Sequence, residues 1–193
     1  MEILKKSTKK IIIKFFTVTE MLAVAAIVSS VPVTAYVKAK QKAAETECMN
    51  NMRQVGMAIT SYHLSNGEYP KAAFFPENPK KDANSIRVVL ADEINSDKVW
   101  ICPAMPDKLK EKGLTWVYND TLSGKATIQD PANTWILIEF SCVSKNAPHP
   151  HPGGFNIVYA DGHVKTTKEL PKDITENQQA ILKKIFAEFA NIK

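Results

Sequence analysis

The chain divides into one long apolar segment and a longer remainder whose apolar residues recur with the spacing of helices and strands. Residues 15–37 carry a single charge, Glu20. As a helix, a segment of that length crosses about 30 Å of hydrocarbon. Lysines dominate residues 1–15, and positive flanks stay on the cytoplasmic side of a membrane. The pattern therefore predicts a basic leader at residues 1–15 and a transmembrane helix at about 15–37. The apolar run extends too far for a simple secretory signal.

Beyond Val37 the pattern becomes that of an amphipathic helix. Apolar residues recur at intervals of four, three, four and three, at Cys48, Met52, Val55, Ile59 and Tyr62. This spacing lies on one face of an α-helix. We expect Pro32 to kink the helix. The sequence predicts one long helix over residues 16–66, which ends at Ser65-Asn66-Gly67 and buries Met52, Val55 and Ile59.

Residues 67–170 have the mixed pattern of a small α+β head. Residues 71–83 are loop-like and residues 85–94 show a short helical face. Runs rich in β-branched and aromatic residues follow at 98–101, 114–118, 135–140, 155–160 and 163–167. We expect about four antiparallel strands, packed on the amphipathic half of the long helix, with Trp100, Trp116 and Trp135 in the core.

The end of the chain predicts a hairpin and one more helix. Asp161-Gly162 separates the last two β-rich runs, and this dipeptide is a strong hairpin signal in which both positions take positive φ. Asp161 and Gly162 are therefore first of all turn residues. Residues 171–193 contain apolar residues at helical spacing. They predict a C-terminal amphipathic helix that either caps the sheet or binds a partner.

Four segments, in order along the chain, resemble a known family. Phe16-Thr17-Val18-Thr19-Glu20, after the lysine-rich leader, is similar to the prepilin cleavage and methylation motif. The segment from Cys48 to Gly56 resembles the second half of a pilin helix. Two further elements resemble a Cys-Pro element and an H-x9-D-G signature: Trp100-Ile101-Cys102-Pro103, and His151 with Asp161-Gly162. Over about residues 5–168, the chain resembles pilin-like proteins of Planctomycetes, Verrucomicrobia and Lentisphaerae.

The resemblance implies a pilin-like fold and a structural rather than an enzymatic role. Related proteins are type IV pilins and type II secretion pseudopilins, whose long helices bundle into a fibre core. Cleavage by a prepilin peptidase before Phe16 would let Glu20 pair with the new amine of a neighbouring subunit, because a carboxylate in a membrane needs a cation. The implied partners are the inner membrane, other copies of the chain and other pilin-like subunits. The chain would cross the membrane once, with a cytoplasmic N-terminus and a periplasmic head.

A second hypothesis rests on Phe15. This residue stands where the family has glycine before the cleavage site, and a prepilin peptidase prefers a small residue there. An uncleaved chain would remain a membrane-anchored extracytoplasmic binding module that does not polymerise. The net charge of +5 does not indicate nucleic-acid binding, because the lysines of the leader account for most of it.

The three cysteines are compatible with two oxidation states of the head, one with a disulfide and one with free thiols only. Cys48 lies on the apolar face of the predicted helix, and Cys102 ends a predicted strand. A disulfide between them would attach the head to the helix in an oxidising periplasm. The alternative is two buried thiols.

Metal and nucleophile chemistry is disfavoured by the sequence. His149, His151 and His163 with Asp161 resemble a ligand set, but the first two lie in a loop-like stretch and no known zinc motif accompanies them. Calcium at Asp161, by analogy with major pseudopilins, would need a ladder of acidic residues. Cys142 with His151 or His163 lacks an oxyanion donor for nucleophilic catalysis. We therefore predict no catalytic residue, no metal and no cofactor.

Overall fold

The computed structural model describes residues 33–190 and shows an α+β fold, which confirms the predicted class. A long helix, a four-stranded antiparallel sheet and a C-terminal helix follow one another along the chain. The chain divides into two compact units, Met1–Lys40 and Gln41–Lys193. Apart from the first turns of the long helix, all described elements belong to the second unit.

Several predicted features lie outside the described residues. They are the basic leader, most of the predicted transmembrane segment, the processing residues Phe15, Phe16 and Glu20, and the kink at Pro32. The predictions about them therefore stay predictions. Within residues 33–190, no helix combines the length and the apolar character that crossing a bilayer requires.

Helix α1 spans Val33–Asn66 and ends where the sequence predicted. Gly67 adopts a φ of 74°, and its N–H donates to the carbonyl of His63 at 2.9 Å. This left-handed conformation costs glycine little and closes the last helical turn. Met52, Val55 and Ile59 are fully buried, which confirms the predicted apolar face.

The sheet has the strand order β1-β2-β3-β4, and neighbouring strands are antiparallel. Its strands are β1 (Trp116–Tyr118), β2 (Trp135–Glu139), β3 (Phe155–Tyr159) and β4 (Val164–Thr167). Each lies within one of the β-rich runs in the sequence. Strands β1 and β2 are buried along their whole length, and this agrees with their nearly continuous apolar composition.

Gly56 lies where α1 approaches the sheet closely. A Cβ atom at this position would stand 2.7 Å from Cγ1 of Val158 in β3, which is closer than side chains tolerate. The absence of a side chain therefore lets the helix backbone lie against β3. This approach brings the buried face of α1, including Cys48, onto the sheet.

The prediction of a strand at residues 98–101 was wrong. Asp97–Trp100 form a 3₁₀ helix, η1, in which Val99 N–H donates to the carbonyl of Ser96. Such bonds close within the segment, so these backbone groups do not enter a sheet. Val99 and Trp100 are both buried, whereas a strand would point them to opposite faces. The core role of Trp100, Trp116 and Trp135 is confirmed, since all three are buried.

The hairpin between β3 and β4 is present, but its predicted conformation was partly wrong. Gly162 has a φ of 89°, whereas Asp161 does not have positive φ. Gly162 N–H donates to the carbonyl of Tyr159 at 2.9 Å, and Tyr159 N–H donates to that of His163 at 3.0 Å. Only the last position of this three-residue loop needs the left-handed region, as in hairpins with a glycine bulge.

The remaining elements are short, apart from the C-terminal helix. They are α2 (Ile86–Val89), α3 (Asp107–Glu111), the 3₁₀ helices η2 (Asp120–Leu122) and η3 (Phe140–Val143), and α4 (Lys172–Ala190). Helix α4 buries Ile174 and Ile185, and its Gln178 donates to the carbonyl of Cys142 at 2.8 Å. Trp135 Nε1 donates to Asp173 in the first turn of α4 at 2.8 Å. Helix α4 thus packs against the head at Trp135 of β2 and at η3, and the partner-binding role that the sequence left open stays a prediction.

Candidate functional site

Four side chains that bind protons or metals converge in the core of the head. They are Cys48, Cys102, Glu139 and His151, here called the polar core cluster. Their ligand atoms all lie within 4.8 Å of one another, and each residue is at most 3% exposed. Polar groups this deeply buried carry a large desolvation cost unless they contact each other or an ion. The cluster is therefore the strongest candidate site in the described part of the chain.

Each member of the cluster comes from a different element. Cys48 lies on the buried face of α1, and Glu139 is the last residue of β2. Cys102 follows η1, and its backbone N–H donates to Thr115 Oγ1 at 2.7 Å, which attaches this loop to the segment before β1. His151 lies in the loop before β3, where its carbonyl accepts from Gly154 N–H at 3.0 Å. The site therefore exists only when α1, the sheet and two loops are assembled.

Glu139 is at the centre of the cluster. Its Oε1 atom accepts a hydrogen bond from the Cys48 thiol at 2.7 Å and contacts His151 Nε2 at 2.8 Å. Cys102 Sγ lies 3.6 Å from the same oxygen and 3.4 Å from His151 Nε2. The other oxygen, Oε2, accepts from the backbone N–H of Asn156 at 2.9 Å. The carboxylate is thus held by β3 on one side and aims one oxygen into the cluster.

Asn156 and Thr166 support the cluster from the sheet. The Asn156 amide donates to Cys48 Sγ at 3.3 Å, and its Oδ1 accepts from Thr166 Oγ1 at 2.6 Å. Asn156 is in β3 and Thr166 is its partner in β4, so strand pairing fixes both. These contacts orient Cys48 from outside the cluster, in the way that outer-shell groups orient site residues.

Hydrogen bonds within the cluster shift its pKa values in different directions. The hydrogen bond with Cys48 lowers the pKa of Cys102 to about 7, and His151 acts in the same sense against burial. Burial alone would lower the pKa of His151, but hydrogen bonds with Cys102 and Glu139 raise it to about 9. Burial, together with Cys102 and Glu139, raises the pKa of Cys48. The contacts within the cluster and its burial therefore act in opposite directions on its four members.

The structure brings together only some of the residues that the sequence singled out. Cys48 and Cys102 meet in the cluster as free thiols, and the disulfide between them stays a prediction. His151 joins them, but His163 lies at the exposed turn with its Nδ1 2.6 Å from Asp161 Oδ1. His149 packs edge-on against Phe155. The three histidines and Asp161 therefore lie in three places: the core, the exposed loop before β3 and the turn after it.

Glu139 was missed by the sequence reasoning. Its signal was present, because it is the only charged residue in the apolar run Trp135-Ile136-Leu137-Ile138-Glu139. An acidic residue in a buried strand run is unusual and indicates a partner in the core. The identity of that partner depends on contacts between distant segments, since Cys48 lies 91 residues earlier in the chain.

Residues 37–136 match the family described as proteins of unknown function, DUF1559. The match covers slightly more than half of the chain, so the chain belongs to this family. At that coarse level it agrees with the resemblance to pilin-like proteins. The prepilin motif at Phe16 to Glu20, and His151 with Asp161-Gly162, lie outside the matched residues and stay predictions. No curated protein and no solved structure matches the chain.

Proposed function

We propose that this protein is a pilin-like structural subunit of a type II secretion or type IV pilus-like assembly. It is anchored in the inner membrane by about residues 15–37 and holds its head in the periplasm. Membership of a pilin-like family, the long N-terminal helix and the small antiparallel sheet support the proposal. The function is structural, because it depends on helix packing rather than on a reaction.

The observation that carries the proposal is an apolar stripe at the start of α1. Val33, Tyr36 and Val37 are 77%, 69% and 44% exposed. Their spacing of three and four places them on one side of the helix. Exposed apolar side chains in one row mark a surface for association with lipid or with other helices. We assign this stripe to the helices of neighbouring copies within the membrane and the fibre.

The proposal also includes cleavage of the leader and an ion pair between Glu20 and a neighbouring subunit. Removal of the leader before Phe16 would create an amine that Glu20 of a neighbouring subunit binds in the helix bundle. A buried carboxylate and ammonium lower each other's desolvation cost when they are in contact. The expected partners are a prepilin peptidase, other copies of this chain and other pilin-like subunits.

Cysteine crosslinking in membranes of the native host tests the assembly. Val37→Cys places a thiol on the apolar stripe, and Ala35→Cys places one on the opposite side of the same turn as a matched control. The natural cysteines are buried and contribute little background. We expect oxidation to give dimers with Val37→Cys and few with Ala35→Cys. Equal yields of dimer, or monomer alone in both variants, would contradict assembly through this stripe.

The second candidate, an uncleaved anchor that displays a binding module, is favoured by Phe15 at the position before the cleavage site. The intact mass of the protein from host membranes separates the two candidates. A chain that begins at Phe16 supports the assembling subunit. A chain that retains Met1, with monomers only in the crosslinking experiment, supports the permanent anchor.

A further inference from the structure

We propose that Cys48, Cys102, Glu139 and His151 form a structural binding site for one tetrahedral transition-metal ion, Zn²⁺ in the first place. The four donors are two sulfurs, one imidazole nitrogen and one carboxylate oxygen. These are the atoms that bind Zn²⁺ in proteins, and four of them complete its usual coordination. The sequence alone did not indicate this set, because Glu139 and the two cysteines are far apart along the chain.

The geometry of the cluster fits a tetrahedral ion after small movements. With Zn–S near 2.3 Å and Zn–N or Zn–O near 2.0–2.1 Å, tetrahedral ligand atoms lie about 3.3–3.8 Å apart. Cys102 Sγ lies 3.6 Å from Glu139 Oε1 and 3.4 Å from His151 Nε2. Two other contacts, from Glu139 Oε1 to Cys48 Sγ and to His151 Nε2, are shorter at 2.7 and 2.8 Å. Separating them by less than about 1 Å would reach the tetrahedral distances.

The surroundings of the cluster are those of a supported metal site. Glu139 Oε2 is held by the Asn156 backbone N–H, so Oε1 is left to face the other donors. The Asn156 side chain donates to Cys48 Sγ, an arrangement that stabilises a metal-bound thiolate. Groups of this kind fix ligand orientation and raise metal affinity.

The site is closed, which points to a structural rather than a hydrolytic ion. All four donors come from the protein and all are buried, so no coordination position faces water or a substrate. Hydrolytic zinc sites keep one such position open. The ion would join α1 to the sheet and to two loops at one point. Metal binding would therefore couple directly to the stability of the head.

Metal content tests the proposal on the full-length chain, purified from host membranes in detergent with a thiol reductant. Elemental analysis should give about one zinc per chain for the wild type. Cys102→Ser and His151→Gln should each lose most of this zinc. Cys142→Ser is the matched control, because Cys142 is also a buried free cysteine but lies outside the cluster. It should keep the wild-type content.

Titration of the reduced wild type with Co²⁺ gives a second readout that does not depend on whether the variants fold. Co²⁺ held by two thiolates in a tetrahedral site gives strong visible absorption and sulfur-to-metal charge transfer. One equivalent with these bands supports the proposal, and Zn²⁺ should displace it. The proposal is overturned if the reduced wild type binds neither ion, or if Cys102→Ser binds both as the wild type does. It is also overturned if a second sample, alkylated during lysis and purified without reductant, is metal-free with Cys48 and Cys102 joined in a disulfide.

Discussion

His151 and Asp161 belong to one short sequence signature and lie on either side of strand β3, but their environments differ sharply. The His151 side chain is 1% exposed and contacts Glu139 and Cys102, which come from distant parts of the chain. The Asp161 side chain is 37% exposed and contacts His163, two residues away. The first residue therefore holds elements together, whereas the second shapes a local turn. Substitutions at the buried end of β3 should therefore lower the free energy of unfolding more than substitutions at the exposed end.

The largest effect is expected from Glu139→Ala. It removes the atom that contacts three members of the cluster and leaves buried His151 without its carboxylate partner. Each buried polar group that loses its partner costs about 1–3 kcal/mol of unfolding free energy, so the loss of this carboxylate should cost about 3 kcal/mol. Denaturant titration of the full-length chain in detergent, followed by tryptophan fluorescence, measures this cost.

Glu111→Ala, on the exposed side of α3, is the control and should change the free energy of unfolding by less than about 0.5 kcal/mol. A loss below about 1 kcal/mol for Glu139→Ala would show that the cluster does not hold the head together.

Gly154→Ala, near the buried end of β3, should also lower the free energy of unfolding by a large amount. Gly154 has a φ of 114°, and an added Cβ would collide with the carbonyl oxygen of Thr167 in β4. Backbone strain and overpacking together should cost about 3 kcal/mol, because neither the loop nor the strand can move without breaking the His151 region. The same denaturant titration measures it. A near-neutral result would mean that the loop carrying His151 is not fixed by β4.

Gly162→Ala, the matched substitution at the exposed end of β3, should lower the free energy of unfolding by a smaller amount. Gly162 also has positive φ, but no atom lies within 4 Å of an added Cβ. Only the conformational cost remains, about 1 kcal/mol. The comparison of the two alanine variants isolates the steric contribution at Gly154. Equal losses in both would contradict the difference between the two ends of β3.

The smallest effect is expected from Asp161→Asn. Hydrogen bonds from the backbone and side chain of His163 hold the pKa of Asp161 below its usual value of 3.8. A carboxyl whose pKa is lowered by folding stabilises the fold above its usual pKa, and this contribution is lost as pH falls through the lowered value. Since Asp161 is exposed, the thermal midpoint at neutral pH should change little. Midpoints of the two proteins should converge further in acid, and divergence there would contradict this role.

Sequence patterns predicted the long helix, the C-terminal helix and the four strands, but not the short helices or the site. The apolar spacing from Cys48 to Tyr62 gave the buried face of α1, and Gly67 gave its end, because both signals are local. The prediction of a strand at residues 98–101 was wrong, because a short apolar run is compatible with either a strand or a 3₁₀ turn that buries Trp100.

The polar core cluster was beyond sequence reasoning because its contacts are long-range. The sequence singled out His151 as part of a turn signature, and its burial depends on the loop that packs against β4. Cys48 and Cys102 were paired by their positions in predicted elements, and the structure does place them together. The acidic side chain between them came from a third element, whose register against β1 and β3 no local pattern reveals.

X-ray absorption at the zinc edge of the wild-type protein, purified from host membranes, tests most directly the claim that the cluster holds a metal ion. The account predicts two sulfur neighbours at about 2.3 Å and two nitrogen or oxygen neighbours at about 2.0–2.1 Å. Such a spectrum would assign the ion to Cys48, Cys102, Glu139 and His151, provided that Cys102→Ser removes it. A first shell of nitrogen and oxygen alone, or a protein with no zinc to measure, would contradict the claim.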